Sequence, residues 1–375
     1  MKISEYLSRY ILIFIAIFDS IACTEKIRLF PTFHLSYFFI GGGLLFHIAK
    51  RAIIKKEFKE LDEAIKSKVT PYLYNGGKGA MVPIAQLSLM RNRYRSSAKQ
   101  LPVIKELGSE ASNYVFEGSE VLERLVKGLN PEKSPHLFRE CCWMVEKRGS
   151  VSETLLHVCF LLQTPTHLML ARRLLKWYPK LILDVYLADE YYGENVLHMS
   201  IVAEDPTMVK SLLEVGVNIE ERFYGNLVCP EDQKSSRNDC LEHEEVDVCL
   251  KTNYQGYFYL GEYPLSFAAV LNQVECYRLI LSRGADHDLQ DTNGNSVTHI
   301  LVIHDNIPMF DMAVECGASI NILNKQQLTP LSMSSFLAKK EMFFHIANIE
   351  REVYWQIGMV KSFIYWILSY SIHFY

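Results

Sequence analysis

Apolar residues recur along this chain in short stretches at helical spacing, and several of these stretches stop at a glycine. The stretches "VKSLLEVG", "YRLILSRG" and "DMAVECG" end at Gly216, Gly284 and Gly317. A glycine there is typical of a helix that closes in the left-handed conformation, which glycine adopts without a Cβ penalty. Another glycine lies 23 residues before each of these, at Gly193, Gly261 and Gly294. The pattern predicts a repeated unit of turn, helix, helix and loop.

The first helix of each predicted unit begins with an apolar pair that ends in His or Ser. These last positions are His157, His198, Ser266, His299 and Ser332. The final three are equally spaced, at the ankyrin period of about 33 residues. Proline suits the first turn of such a helix, because its missing N–H is not needed there, and Pro264 and Pro330 occupy that turn. We therefore predict an all-α ankyrin-repeat solenoid with long finger loops and about four or five repeats.

Two intervals between equivalent positions are longer than one ankyrin period. The interval from Ser152, the matching position of the first clear unit, to Gly193 is 41 residues, and the interval from Gly193 to Gly261 is 68. The surplus in the longer interval could hide a degenerate repeat. Its acidic sequence lacks a Leu-Leu-x-x-Gly-Ala signature, however, so we predict one finger insertion at about 218–260. Insertions of this kind lie on one edge of a solenoid, often the binding edge.

An aromatic run leads from the insertion into the next helix. Tyr257, Phe258 and Tyr259 form a candidate interaction surface, either as part of a subunit interface or as a contact that holds the insertion on the repeats. The segments "YFYLGEYPLSFAAVLNQ" at 257–273 and "DTNGNSVTHILV" at 291–302 resemble the ankyrin domain of vanilloid-type transient receptor potential (TRPV) cation channels. In that family an enlarged third finger leads into Tyr-Phe-Tyr-Phe-Gly-Glu-Leu-Pro-Leu-Ser, and the next repeat opens with Gly-Asn-Thr-Val-Leu-His.

The resemblance covers roughly 149–358 and includes the 41-residue interval. It also includes "REVYWQIG" at 351–358, which is similar to the start of the linker toward the membrane domain. Invertebrate sensory members of the family are the nearest in character. Leu260 and Thr298 depart from the family pattern, where Phe and Leu are usual, and a solenoid tolerates both changes.

The resemblance implies a subunit of a calcium-permeable cation channel of the plasma membrane, with its ankyrin domain in the cytoplasm and other TRPV-type subunits as partners in a homo- or hetero-tetramer. Calcium is then the transported ion; we expect no cofactor and no enzyme activity. The six spans and pore loop of the family do not appear before Tyr375. We therefore expect a truncated subunit that does not conduct alone and acts in subunit assembly or regulation. The alternative is a free-standing ankyrin adaptor that binds an unrelated protein.

The N-terminal segment, 1–54, is strongly apolar. Residues 10–18 have the features of a secretory signal, and 29–49 is a run of 21 residues without Asp, Glu, Lys or Arg, which is near the length of a membrane span. The cations that follow, at 50–56, would hold the rest of the chain in the cytosol. A signal, a membrane anchor and an atypical chain start all stay open.

The remaining boundaries follow from composition and periodicity. We expect a helical or irregular leader at 55–118 and the ankyrin-repeat domain at 119–350, in which a degenerate first repeat continues through 134–149. Residues 351–375 are expected to start the pre-membrane linker and to end in an apolar tail.

Other patterns indicate little further chemistry. A net charge of -4 provides no basic excess for nucleic acid, and nine cysteines fit reduced thiols better than a disulfide framework. Cys240, His243 and Cys249 could be zinc ligands, but no Cys-x-x-Cys pair is present, which favours a solvated loop. "GGKG" at 76–79 lacks the Walker spacing, which favours a turn. The repeat histidines are expected to pack and cap, and no metal site is predicted.

Overall fold

A computed structural model describes residues 43–93, 95, 98–107, 126–149, 152–254, 258–357 and 360–365 of the chain. The chain divides into two compact units, Met1–Asp286 and His287–Tyr375. Both units consist mainly of short helices joined in consecutive pairs, and the strands in the described ranges are short. The predicted fold class, an all-α ankyrin-repeat solenoid, is confirmed by these helix pairs.

The described part of the first unit opens with a helix pair, α1 (Leu44–Lys55) and α2 (Lys59–Val69). One side of α1 is apolar and buried, at Leu45, Ile48, Ala49 and Ala52. This side packs against α2 and against a later helix of the first repeat, Pro165–Trp177. The contact is extended by the ring of Phe46, which stacks on the ring of His167 with 4.8 Å between centroids.

An irregular region follows this pair. Two 3-10 turns, Thr70–Tyr72 and Tyr74–Gly77, lead into strand β1 (Ala80–Pro83), helix α3 (Ile84–Asn92) and helix α4 (Pro102–Leu107). The "GGKG" sequence lies in and after the second turn, where the side-chain amide of Asn75 donates to the carbonyl of Gly79 at 2.8 Å. Strand β1 pairs antiparallel with β2 (Phe138–Cys141).

Three helix pairs complete the first unit. They are α5 (Leu155–Leu162) with α6 (Pro165–Trp177), α7 (Val196–Val202) with α8 (Pro206–Val215), and α9 (Pro264–Val270) with α10 (Val274–Leu281). The finger insertion between α8 and α9 contains strands β3 (Asn238–Asp239) and β4 (Val246–Asp247).

The second unit has two helix pairs and a hairpin. The pairs are α11 (Val297–Ile303) with α12 (Ile307–Glu315), and α13 (Pro330–Phe336) with α14 (Lys340–Glu350). Strands β5 (Arg351–Ile357) and β6 (Val360–Tyr365) follow and pair antiparallel. None of the helices in the described ranges of the chain combines the length and the apolar composition that a bilayer span needs.

The first helix of most repeats begins with a reciprocal cap. In α7, for example, the side chain of Asn195 accepts from the backbone N–H of His198 at 3.1 Å, and the imidazole of His198 accepts from the N–H of Asn195 at 3.4 Å. Thr154, Ser296 and Thr329 form the same box at the start of α5, α11 and α13. The cap satisfies backbone donors that the first turn of a helix leaves unpaired.

Left-handed backbone recurs at the turn that precedes each first helix. The residues with positive φ are Ser152 (63°), Gly193 (90°), Gly261 (79°), Gly294 (78°) and Gln327 (62°). A second series lies between the two helices of each pair, at Gln163, Glu204, Asn272, Asp305 and Ala338. The two series advance by the same intervals from one repeat to the next, so the repeat spacing read from the sequence is also the spacing of the backbone.

Two expectations differ from the structure. Residues 134–149 do not continue a helical repeat; they form a 3-10 turn, strand β2 and the 3-10 turn Val145–Lys147. The physical reason is the buried carboxylate of Asp184, which accepts the backbone N–H groups of Cys142 at 3.1 Å and Trp143 at 3.0 Å and so favours an extended path. The part of the first repeat predicted within 119–125 lies outside the described residues.

The N-terminal segment also differs from its expected boundaries. The expected boundary at 54/55 falls inside α1, whose buried side is continuous from Leu45 to Ala52. The end of the apolar run 29–49 is therefore packed against protein in α1, while 1–42, including the signal-like stretch 10–18, lies outside the described residues. The same is true of the last part of the apolar tail, 366–375.

Candidate functional site: the finger insertion

The interval between α8 and α9 is filled by one irregular insertion. In its described part, 218–254 and 258–260, the regular elements are the 3-10 turns Asn226–Val228 and Lys234–Ser236 and the β3–β4 pair. No α-helix occurs in that described part, so a hidden helix pair is absent from it. The insertion starts after Gly216, whose φ of 97° closes α8.

Hydrogen bonds within the insertion join two arms, 232–236 and 249–252. The side-chain amide of Gln233 donates to the carbonyl of Cys249 at 2.8 Å, and the backbone N–H of Cys249 donates to the hydroxyl of Ser236 at 2.9 Å. The hydroxyl of Thr252 donates to the carboxylate of Asp232 at 2.8 Å. Because these bonds cross from one arm to the other, the insertion is an ordered structure with its own internal support.

A buried cluster of charges fixes the insertion to α3. The Asp239 carboxylate lies 3.2 Å from Nε of Arg91 and 2.8 Å from Nη1 of Arg95. It also accepts a short hydrogen bond from Asn92. The side chains of Arg91 and Asp239 are fully buried. A buried carboxylate requires such partners, because an unpaired charge away from water is very unfavourable.

The same cluster includes a residue from the turn before the second repeat. Asp189 forms a short ion pair with Arg95 and lies 3.5 Å from Nη2 of Arg237. Burial alone would raise the pKa of Asp189, but the hydrogen bond from Arg95 and the charges of Arg237 and Arg95 outweigh burial and leave the pKa below its ordinary value. Asp189 is therefore ionised within the cluster.

A second cluster centres on Arg139 of β2. Its guanidinium donates to Glu221 at 2.7 Å and to both carboxylate oxygens of Glu244 at 2.8 Å. Glu244 also accepts from the hydroxyl of Tyr192 at 2.6 Å, and the ring of Tyr192 lies under the guanidinium of Arg91 at 4.3 Å. Burial acts to raise the pKa of Glu244, but Arg139 and Tyr192 outweigh it and the pKa is lowered. One arginine thus joins strand β2 to two separate parts of the insertion, at Glu221 and at Glu244.

A third contact joins the two ends of the insertion. Nη2 of Arg222 lies 2.8 Å from Glu262, just before α9, and Nη1 of Arg222 lies 2.9 Å from Glu245. The guanidinium also lies 4.6 Å from the ring centre of Tyr224. The backbone supports this pairing, because the N–H of Phe223 donates to the carbonyl of Glu262 at 2.8 Å.

The predicted aromatic surface is described only in part. Tyr257 lies outside the described residues, and Phe258 is half-buried. Tyr259 is buried and stacks on Tyr254 of the insertion with 5.3 Å between ring centroids. Tyr259 therefore lies within the packing of the insertion, and an interaction role for the three residues together stays a prediction.

The repeat histidines occupy capping positions. His157 and His198 are fully buried, and burial lowers the pKa of each imidazole to about 3. Burial lowers the pKa of His299 to about 4. Beyond their own helix, His198 is 3.3 Å from the carbonyl of Glu262 and His299 is 3.0 Å from the carbonyl of Leu328. The neutral rings of His198 and His299 thus connect their helix starts to the turn before the next repeat.

The glycines and prolines of the repeat pattern lie at turns and helix starts. Gly216, Gly284 and Gly317 have positive φ after the second helix of their pairs, while Gly193, Gly261 and Gly294 have it before the first. Pro264 and Pro330 are the first residues of α9 and α13.

Sequence reasoning missed the cations that hold the insertion. Arg91, Arg95 and Arg139 lie outside the repeat pattern, and their partners are up to 153 residues away in sequence. The one local signal is the concentration of arginines in "MRNRYR" at 90–95, which begins in the last turn of α3.

Comparison with known proteins identifies relatives of the chain. No protein-family model matches the chain. It is 30% identical over 229 residues to transient receptor potential cation channel subfamily V member 5 of Rattus norvegicus, over 58% of this chain and 28% of the relative. It is 28% identical over 239 residues to member 6 of Homo sapiens, over 61% of this chain and 28% of the relative.

Member 2 of the same subfamily, from Homo sapiens, is 28% identical over 208 residues, which are 50% of this chain and 24% of the relative. The chain thus spans less than a third of the length of these curated relatives. The resemblance read from the sequence is confirmed.

Proposed function

We propose, from the premise that the homologues of this chain are cation channels of the transient receptor potential subfamily V, that the chain serves as the ankyrin-repeat region of such a channel subunit. In this role it acts in subunit assembly or regulation, with other TRPV-type subunits as its partners. The region lies on the cytoplasmic side of the plasma membrane, and calcium is among the ions that the assembled channel transports. The observation that carries the proposal is the similarity over more than half of the chain to several members of one channel subfamily.

The ordered insertion supports a contact role for one edge of the repeats. Its arms are joined by hydrogen bonds, and a buried ion pair at Asp239 and a partly buried one at Glu244 fix it to elements outside the repeats. An edge that is held in one conformation loses little conformational entropy when it binds a partner. On its outer side, Leu250 is an exposed apolar residue next to the exposed Cys249 and Lys251. We place the subunit contact on this edge.

Co-expression of the full chain with full-length rat member 5 tests the proposal. The tagged chain should copurify with the channel subunit in detergent and should change the whole-cell cation current. Leu250→Ser, on the insertion, should weaken the copurification, whereas the control Val215→Ser, at an exposed apolar residue at the end of α8, should not. If the chain neither copurifies nor changes the current, the channel-subunit proposal is wrong.

The second candidate is a free-standing ankyrin adaptor, which the stacked helix pairs and long finger favour equally. An adaptor would bind a protein that is not a channel subunit and would leave the cation current unchanged. If both variants copurify as the unaltered chain does, the contact lies elsewhere than the insertion edge, while the subunit proposal stands.

A further inference from the structure

The first helix has a charge that differs from the rest of the chain. Residues 43–56 contain Lys50, Arg51, Lys55 and Lys56 and no Asp or Glu, although the chain as a whole has a net charge of -4. All four cations are exposed. They lie within two turns of one another, because an α-helix rises about 5.4 Å per turn.

The exposed side of α1 is also unusually apolar. Its buried side packs on α2 and α6, so the opposite side faces away from the first repeat. Successive side chains of an α-helix are rotated by about 100° around its axis, which places Ile54 between Lys50 and Arg51 on that opposite side. Ile54 is 74% exposed and Leu44 is 52% exposed. A single exposed apolar residue needs no explanation, but isoleucine set among cations on one helix side has the character of a membrane-surface helix.

The acidic neighbours of this side do not neutralise it. Arg51 pairs with Glu60 of α2 at 2.9 Å, and both side chains are more than half exposed, so the pair contributes little. In the described part of the chain, the recorded ion pairs include none with Lys50, Lys55 or Lys56. Glu57 and Glu63 are exposed acids close by in sequence, and the segment 44–69 still carries seven cations against four acids.

We propose that the exposed side of α1 docks on a bilayer surface that contains anionic phospholipid. Lys50 and Arg51, which flank Ile54, meet the headgroup phosphates, and Ile54 enters between the headgroups. Lys55 and Lys56, at the end of the helix, add positive charge near the same surface. A lipid surface suits this side better than an acidic protein does, because the sequence that directly precedes the helix, 29–42, is rich in apolar residues and contains no Asp, Glu, Lys or Arg. Basic residues near such a surface and buried apolar area both favour binding. The proposal does not depend on the channel-subunit role.

Cosedimentation of the full chain with lipid vesicles tests the proposal. Two vesicle types are compared, one of pure phosphatidylcholine and one with about 30% phosphatidylserine, which gives a surface potential of physiological size. We expect binding to the anionic vesicles, and we expect added salt to weaken it because salt screens exposed charges. Each cation removed should weaken binding about fivefold, so the triple variant Lys50→Gln, Lys55→Gln and Lys56→Gln should lose about two orders of magnitude.

Matched variants separate this side from general charge effects. Ile54→Ser should weaken binding to the anionic vesicles several-fold, whereas Lys210→Gln with Val215→Ser, which removes an exposed cation and an exposed apolar residue from α8, should leave binding unchanged. All substituted side chains are exposed, and equal far-ultraviolet circular dichroism verifies that the variants fold. Equal binding to both vesicle types, absence of binding to either, or a triple variant that binds like the unaltered chain would overturn the proposal. The vesicle and salt comparisons on the unaltered chain can still overturn the proposal if a variant misfolds.

Discussion

The carboxylate of Asp239, in the finger insertion, lies 3.2 Å from Nε of Arg91 in α3, and neither side chain is exposed to solvent. The two residues belong to parts of the chain that the repeat pattern does not connect. Their contact makes the insertion part of the same folded unit as the helices that precede the repeats. It also means that the insertion and α3 cannot be altered independently.

Asp239→Ala should strongly destabilise the first unit. The substitution leaves the buried guanidinium of Arg91 without its carboxylate, and removal of one partner of a buried ion pair costs about 3–5 kcal/mol. The measurement is the free energy of unfolding from a urea titration followed by fluorescence. Asp247→Ala is the matched control, because Asp247 lies in the paired strand β4 and is exposed; it should change the free energy by less than about 0.5 kcal/mol.

Arg139→Lys should weaken the attachment of the insertion although it keeps the charge. A lysine cannot reproduce the forked contact with both oxygens of Glu244 and the further bond to Glu221. We expect a loss of about 1–3 kcal/mol in the free energy of unfolding. Limited proteolysis should then cut within the insertion earlier than in the unaltered chain. An unchanged cleavage rate would contradict the role given to Arg139.

Acid should destabilise the repeats through their buried histidines. The pKa of His198 is lowered to about 3 by burial, so between its ordinary pKa near 6.5 and about pH 3 the unfolded chain binds a proton there and the folded chain does not. The stability that the neutral ring contributes is present above pH 6.5 and is lost as the pH falls, by about 1.4 kcal/mol per pH unit for each such histidine.

The test is the free energy of unfolding measured from pH 7 to pH 4 for the unaltered chain and for His198→Gln. The free energy of unfolding of the variant should fall less steeply with decreasing pH, because one fewer proton is taken up on unfolding. This holds whatever the stability of the variant at pH 7. Asp184 has the opposite effect on stability, because burial raises its pKa to about 6 and the folded chain therefore takes up its proton before the unfolded chain does. Both chains contain Asp184, so the difference between their slopes of unfolding free energy against pH reports on His198. Val215→Ser adds no titratable group and should keep the original slope.

Gly193 and Gly216 should respond differently to alanine. Both have positive φ, 90° and 97°, so alanine at either site meets the left-handed penalty of about 1–2 kcal/mol. A Cβ at Gly193 would also collide with the backbone carbonyl of Arg222, whereas a Cβ at Gly216 has open space around it. Gly193→Ala should therefore lower the melting temperature clearly more than Gly216→Ala. Equal shifts would show that the turn at Gly193 has room to move.

The sequence was sufficient for features that a few neighbouring residues determine. Caps such as that of Asn195 with His198 and turns such as that at Gly294 depend on local backbone geometry, so their recurrence at the ankyrin period makes them visible. Gln327 adopts the same left-handed turn as Gly294 but went unnoticed, because its residue type gives no sign of positive φ.

Contacts between distant segments could not be predicted in the same way. Arg139 is 105 residues from Glu244, and no periodicity or spacing relates them. The degenerate repeat expected to continue through 134–149 is absent there for the same reason. Local sequence favoured a repeat, but pairing with β1 and the hydrogen bonds to Asp184 determine an extended path. Tertiary contacts outweigh local propensity where the two disagree.

The order of synthesis gives the contact between α3 and the insertion a consequence for expression of the protein. Arg91 leaves the ribosome long before Glu244, whose carbonyl it donates to across 153 residues, so the nascent chain carries the unpaired guanidinium groups until the insertion emerges. Folding of this unit is then governed by a slow, long-range step. A recombinant piece that stops after the second helix pair would leave those groups permanently uncompensated, and we expect the shortest soluble piece to extend beyond Glu244.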